Sequence, residues 1–391
     1  MYARLLKRPL ELGKSFFLFG PRGTGKTTWL REQFNPDNSV YLDLLAGDLY
    51  AELLARPQRL ETFASHRESD WVVIDEIQRV PALLNEVHRL SESKGLRFAM
   101  TGSSARSLRK KGVNLLAGRA LTFHMHPLVA EELGSSFDFE RAIRFGQLPA
   151  IPGNHAPSDY LKSYVQTYLR EEVQQEGLAR NLGNFARFLE TASFSQGAPL
   201  NVSDISRDAA LHRKVVDSYF TVLEDLMIGS RLPAFTKRAR RRLVTHPKFY
   251  FFDAGVYRTI RPMGPLDATE EAEGAALETL VFQELRALND SLGLDYELFY
   301  WRTGNGVEVD FVLYGPRGLL ALEVKRSDRY ARSDLTGLRA LKADYPMAKC
   351  FLLYGGDHPR QEDGVQVLPL KQWLPKLSQL LTQVTVELKD S

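Results

Sequence analysis

The chain of 391 residues has a single cysteine, Cys350, so no disulfide can close within it. One thiol suits a reducing compartment. No stretch approaches the roughly eighteen uninterrupted apolar residues of a membrane helix. The opening run, MYARLLKRPLELGKS, lacks the apolar centre of a signal peptide. Neither repeats nor low-complexity tracts occur. Charge of one sign is also scarce: 51 Lys and Arg face 48 Asp and Glu, a net +3, so no global field demands a polyanion. These absences predict a cytoplasmic protein without membrane contact. A hydrophobic content of 44% and a charged content of 25% are ordinary for a globular chain, and the length allows two or three domains.

What is present begins at residues 15–30, SFFLFGPRGTGKTTWL. An apolar strand runs into Gly20-x-x-x-x-Gly25-Lys26-Thr27, and a helix pattern follows. This is the P-loop spacing in its required context. Gly20, Pro21, Arg22, Gly23, Thr24 and Gly25 would turn backbone N–H groups toward phosphate oxygens, with Thr28 in the helix start beyond them. The helix N-terminus adds its dipole. Lys26 would reach the β- and γ-phosphates of ATP, and Thr27 would ligate Mg2+.

A second strand, WVVIDEIQ, ends in Asp75 and Glu76. In the Walker B pattern the first acid holds the magnesium hydration shell and the second polarises the attacking water. The strand LRFAMTGSS ends in Thr101, Gly102, Ser103 and Ser104, where a hydroxyl could sense the γ-phosphate or simply make a turn; Ser103 or Ser104 is the candidate. Arg119, in LLAGR, stands beyond that strand, with Arg106 as its rival. One of them is a candidate finger toward a neighbouring subunit's ATP, and a surface ion pair is the competing explanation. His124 and His126 share one strand face without further ligands and read as structural.

Residues 307–325, VEVDFVLYGPRGLLALEVK, form two apolar runs around a turn. With Gly315–Gly318 as a four-residue loop, Tyr314 lies opposite Leu319, Asp310 opposite Glu323, and Glu308 opposite Lys325. Facing like charges destabilise a sheet. A divalent cation would offset them; a solvated face is the plainer alternative. The spacing of Asp310 and Glu323-x-Lys325 resembles the core of the restriction-endonuclease-like, or PD-(D/E)xK, fold. That resemblance implies carboxylates on Mg2+ or Mn2+, a lysine orienting the attacking water, and a further acid on a preceding helix. Glu278 and Glu284 are available there, and Glu278 fits because it follows Gly274.

Residues 147–157, QLPAIPGNHAP, read as a linker. A helix from Ser158 then carries Leu161, Tyr164, Val165, Tyr168 and Leu169 on one stripe, a core face. Farther on, two helix patterns, VSDISRDAA and HRKVVDSYFTVLEDLM, precede RLPAFTKRARRRLVTHPKFYFFD. Seven Lys or Arg and no acid fall between Arg231 and Lys248. Two helices and a basic hairpin suggest a winged helix whose Arg213, Lys214, Lys237, Arg238, Arg240, Arg241 and Arg242 contact DNA. A solvated charged loop is the alternative.

The runs GPRGTGKTT, IDEIQRVP, TGSSARSL, LAGR, HPLVAEEL, YLKSYVQTYLREEV, FYWRTGNGVEVDF and ALEVK together resemble a family of bacterial and archaeal AAA-type ATPases. These carry a C-terminal domain of unknown function. The resemblance implies an ATPase core in a homo-oligomer, such as a hexameric ring, joined to a nuclease-like domain. The expected fold is α/β in three parts. Residues 1–150 form a P-loop AAA-type domain. Residues 151–262 form a helical and winged-helix module. Residues 263–391 form a restriction-endonuclease-like α/β domain. The expected function is magnesium-dependent ATP hydrolysis coupled to translocation or remodelling of DNA, with metal-dependent cleavage as a further capacity. The rival is a nucleotide-switched DNA-binding regulator or assembly scaffold with a degenerate nuclease domain.

Overall fold

The structure is a computed structural model that describes residues 2–35, 37, 39–64, 71–103, 106, 108, 118–169, 173–174, 181–237, 243–264 and 267–382. The chain divides into two compact units, one of Ala3–Pro127 with Asp225–Met227 and one of Met1–Tyr2, Leu128–Glu224 and Ile228–Ser391.

The first unit is built on five parallel strands: β1 (Phe16–Phe19), β2 (Ser39–Asp43), β3 (Trp71–Asp75), β4 (Arg97–Gly102) and β5 (Leu121–His124). Their order is β2-β3-β4-β1-β5. Strands covered on both faces must be apolar throughout, and all four residues of FFLF are buried. Alternation sends Phe17 and Phe19 to one core, with Ile74, Met100, Val87 and Leu90. It sends Phe16 and Leu18 to the other, with Trp29, Leu30, Val73 and Phe123. The helix Leu83–Lys94 thus covers one face and Lys26–Gln33 the other. Since β2, β3 and β4 approach β1 from one side and β5 lies on its far side, the strand order reverses beside β1. Open α/β sheets bind ligands at such a reversal, outside the carboxyl ends of their strands.

The second unit holds a mixed six-stranded sheet of β8 (Glu297–Arg302), β9 (Glu308–Gly315), β10 (Gly318–Lys325), β11 (Lys349–Tyr354), β12 (Arg360–Glu362) and β13 (Val365–Pro369), in the order β12-β13-β11-β10-β9-β8. β10 and β11 are parallel, and the helix Thr336–Asp344 crosses between them, burying Leu338 and Leu341. The helix Thr269–Leu292 packs Phe282 on Phe311 at 6.1 Å between ring centroids. Helices Val202–Asp208 and Arg213–Asp225 lead into an antiparallel pair, β6 (Gly229–Leu232) and β7 (Lys248–Phe251).

Two details differ from the sequence expectation. Tyr314 does pair with Leu319, but Gly315 also pairs with Gly318, so the loop shrinks to Pro316 and Arg317. Residues 147–157 are tied down rather than linker-like: Leu148 and Ile151 are buried, and Arg141 donates to the carbonyls of Ile151 (2.9 Å) and Asn154 (2.6 Å). Their apolar side chains outweigh the turn residues around them.

Candidate functional site

In the first unit, the loop after β1 turns into the helix Lys26–Gln33 through Gly25, whose φ of 94° favours glycine. Gly20 meets a second constraint, since a Cβ there would stand 2.3 Å from the Met125 carbonyl oxygen. The loop therefore packs backbone against backbone. Lys26 is buried, and its ammonium donates to the carbonyls of Gly20 (2.7 Å) and Pro21 (3.1 Å). Thr24 donates to Pro21 at 2.8 Å. Arg22, Gly23 and Thr28 are exposed and Thr27 is half-buried at the helix start.

Asp75 closes β3 at 1% exposure. Both its carboxylate oxygens are held: Tyr41 donates to one at 2.7 Å and Thr101 to the other. Burial, then Asp75, pushes the Tyr41 hydroxyl well above its ordinary pKa, so it remains a donor. Thr101 also accepts from the Glu76 N–H at 3.2 Å. Glu76 has φ 63° and ψ 45°. A non-glycine residue there stores about 1–3 kcal/mol, strain that collects at functional positions. The Gln78 amide donates to the Glu76 carboxylate. Of the sensor candidates, Ser103 is buried, as is Thr101 two residues before it; Ser104 lies outside the described residues. Arg119 pairs with Glu92 at 2.7 Å, both exposed, and Arg106 pairs with Asp225.

In the second unit, the hairpin's charged residues gather with two residues of β7. β9 carries a bulge. Phe299 pairs with Val312 and Trp301 with Val309, which leaves Asp310 and Phe311 opposite Tyr300 alone. Val309 and Val312 consequently share one core cluster, breaking strict alternation. Asp310 is buried and accepts from the Val324 N–H at 2.9 Å. Glu323 pairs with Lys325 at 2.8 Å, and its other oxygen is buried without a partner among the described residues. Glu278 accepts from the Tyr250 hydroxyl at 2.9 Å and lies 4.0 Å from Lys248. Glu308 pairs with Lys248 and, at 3.0 Å, with Arg302, rather than with Lys325. Glu284 is elsewhere, accepting from the Ala130 N–H at 2.7 Å in a fully buried setting.

A buried carboxylate left ionised and unpaired costs several kcal/mol. Burial, then the charge on Asp310, raises Glu278 to about 7 and Glu323 to about 8. Burial lifts Asp310 as well, against the pull of Lys248 and Lys325. Burial alone would lower Lys248, but Glu278, Asp310 and Glu308 together outweigh it and keep the ammonium charged. Among the described residues, no group of three or more His, Cys, Asp or Glu is arranged to hold a metal ion. The donor set offers an open oxygen on Glu323, while Glu278 and Glu308 are already shared with Tyr250, Lys248 and Arg302. As it stands, the set does not fit a divalent ion.

Of the basic residues, Arg213 and Lys214 are exposed at a helix start, and Lys237 pairs with Glu297 and lies 4.5 Å from the Tyr314 ring centroid. Arg238, Arg240, Arg241 and Arg242 lie outside the described residues. The stems flanking them bond to β8, Phe235 N–H to Tyr300 at 2.7 Å and Val244 N–H to Arg302 at 2.9 Å.

Residues 13–134 match the family model described as an AAA domain. Residues 136–267 and 273–373 match two domains of unknown function, DUF8612 and DUF4143. An uncharacterized protein of Haemophilus influenzae is 23% identical over 336 residues, 80% of each chain. A solved structure of the replication initiator DnaA bound to AMPPCP and single-stranded DNA is similar at 12% identity. That match has a TM-score of 0.26 and covers 54% of this chain and 82% of that one, too slight to bear on the fold. The first unit therefore carries an AAA-type P-loop domain. The other two matches bring no activity with them. No described helix is long and apolar enough to cross a membrane.

The raised carboxyls of the second unit predict a pH-dependent stability. The native state keeps protons that the unfolded chain releases above about 4.5, so stability falls as pH rises from about 5 to about 8. Melting temperatures across that range should decline, and Glu323→Gln should remove much of the decline. A native profile that is flat over the range would show that these carboxyls are not perturbed.

Sequence reasoning missed Tyr41, Gln78, Lys248 and Tyr250. In KFYF, Lys248 and Tyr250 share one strand face by period two. That alternation was the available signal, hidden within a run that looked like basic surface.

Proposed function

We propose that this protein is a magnesium-dependent ATPase that acts on DNA, coupling hydrolysis to translocation along it or remodelling of it. The observation that carries the ATPase reading is the placement of Asp75 and Glu76 at the carboxyl end of β3, tied through Thr101 and Tyr41, in the sheet whose β1 delivers the P-loop. The P-loop backbone and Lys26 would bind the phosphates. Thr27 and Asp75 would hold Mg2+ and its waters. Magnesium would neutralise charge developing on the phosphate. Glu76 would polarise the attacking water. Phosphate release from ATP, absent in chelator, tests this step.

In the second unit we assign residues 151–262 to a winged-helix-like DNA-binding part and 263–391 to a nuclease-like part. Two helices followed by the β6–β7 pair support the first assignment. The carboxylate–lysine hairpin on a β-α-β frame supports the second. Changing Arg240, Arg241 and Arg242 together to Ala should flatten the salt slope of duplex binding by up to about 3, at about 0.9 for each phosphate contact. Affinity for different sequences should fall alike, because backbone contacts carry no base information. An unchanged slope would make the segment a solvated surface.

Arg119 is the candidate finger of a homo-oligomer. Its pair with Glu92 is exposed and screened by solvent, so it holds Arg119 only weakly against a neighbour's γ-phosphate. Mixing Arg119→Ala with Glu76→Gln subunits should then restore part of the activity that each lacks. A monomer with full activity would overturn it.

A second reading is favoured by Lys248, whose ammonium already engages the hairpin's acids. In that reading the nuclease-like part is a DNA-docking surface of a nucleotide-switched regulator. Nicked, branched and linear DNA should then stay uncut in Mg2+ or Mn2+. Metal-dependent cutting lost in both Asp310→Ala and Lys325→Ala would instead make it a nuclease.

A further inference from the structure

The hairpin cluster joins four carboxylates, Glu278, Glu308, Asp310 and Glu323, contributed by one helix and two strands. Its most enclosed charged member is a cation: Lys248 is 1% exposed. Its ammonium pairs with Glu308, lies 4.0 Å from Glu278 and sits 5.3 Å from the centroid of the Tyr300 ring. Asp310 is close enough to act on its charge. The remaining acids have their own partners, with Arg302 on Glu308 and Lys325 on Glu323.

The backbone that delivers Lys248 is held on both sides. It pairs with Leu232 of β6 and bridges to Pro199, while the Leu200 N–H donates to the Pro247 carbonyl at 2.8 Å. Such a side chain is preorganised rather than drawn in from solvent. An ammonium donates up to three hydrogen bonds and needs no water shell once they are made. Magnesium asks for six oxygens in near-octahedral array and gives up its water reluctantly. The enclosed place among Glu278, Glu308 and Asp310 suits the first and not the second.

We propose that Lys248 is the resident cation of this cluster, its ammonium filling the place among Glu278, Glu308 and Asp310 that a divalent ion would otherwise take. The hairpin centre is thus neutralised by the chain itself. This rests on neither ATP turnover nor DNA binding, so either of those can fail without touching it.

The test uses the full chain, free of nucleotide, with Mn2+ as the probe. In titrations followed by calorimetry and by paramagnetic relaxation of water protons, the native protein should bind no Mn2+ that Asp310→Asn removes. Lys248→Met, which keeps the length and drops the charge, should gain one Mn2+ site per chain. The double variant Lys248→Met with Asp310→Asn should lose that site. Lys248→Met should also melt lower than the native protein in chelator and recover in Mn2+. Lys248→Arg should bind no metal. Native protein that binds one equivalent of Mn2+ through Asp310 would overturn the proposal, and that titration decides even if Lys248→Met fails to fold. A folded Lys248→Met that gains no site and melts as the native protein does would overturn it too.

Discussion

Glu76→Gln is expected to bind ATP as the native protein does and to hydrolyse it about 100- to 10,000-fold more slowly, the usual span for losing a general base. The substitution keeps the shape of the side chain and its reach to Gln78. It leaves Asp75 and its two hydroxyl donors untouched, so magnesium binding should survive. Only the group that can draw a proton from water is gone. Single-turnover hydrolysis and nucleotide affinity, measured on the same preparation, separate the two effects. Native turnover in this variant would remove Glu76 from the chemistry and leave its left-handed backbone without a functional reason.

Lys26→Ala is expected to fail earlier, at binding. With no phosphate beside it, the Lys26 ammonium spends its hydrogen bonds on the Gly20 and Pro21 carbonyls. Phosphate oxygens would take over those bonds as charge-assisted ones. Each such bond is worth about 1.5–3 kcal/mol, which predicts a loss of roughly 10- to 150-fold in ATP affinity for each one that reaches a phosphate. The loop also loses its internal ties, so the Kd for ADP should rise as well, though less. Titration with a fluorescent ATP analogue reads both. An unchanged Kd would show that the loop does not cradle phosphates.

The contrast between these variants follows from features that local sequence carries well. The placement of Gly25 and Lys26 after β1, and of Asp75 and Glu76 at the end of β3, was legible because a P-loop needs its glycines, lysine and flanking strand within a dozen residues, and because an apolar strand ending in two acids gains meaning when it follows such a loop. The hairpin register was legible for the same reason: Gly315 and Gly318 mark the turn, and Tyr314 then meets Leu319. What sequence reasoning could not reach lies in long-range placement. Thr101 and Tyr41 stand 26 and 34 residues from Asp75, and only the strand order brings them to it. The bulge at Asp310 and Phe311 depends on pairing with β8, which no spacing within β9 announces. Lys248 is the clearest case. In sequence it closes a basic run; in the fold it is the most enclosed charge of the cluster, because β7 passes beneath it between Leu232 and Pro199. The expected linker at 147–157 misled in the opposite way, since Leu148 and Ile151 bury themselves despite the prolines beside them.

In the proposed function, ATP chemistry in the first unit is coupled to DNA contact in the second, and DNA stimulation of ATP turnover tests that coupling. Steady-state ATP hydrolysis is followed in magnesium, without DNA and with single-stranded, duplex and branched DNA, using Glu76→Gln as the blank. The expected result is sustained turnover that at least one DNA form raises severalfold. The rise should be lost when Arg240, Arg241 and Arg242 are changed to Ala. Tight nucleotide binding with negligible turnover on every DNA, or turnover that only a protein stimulates, would contradict it.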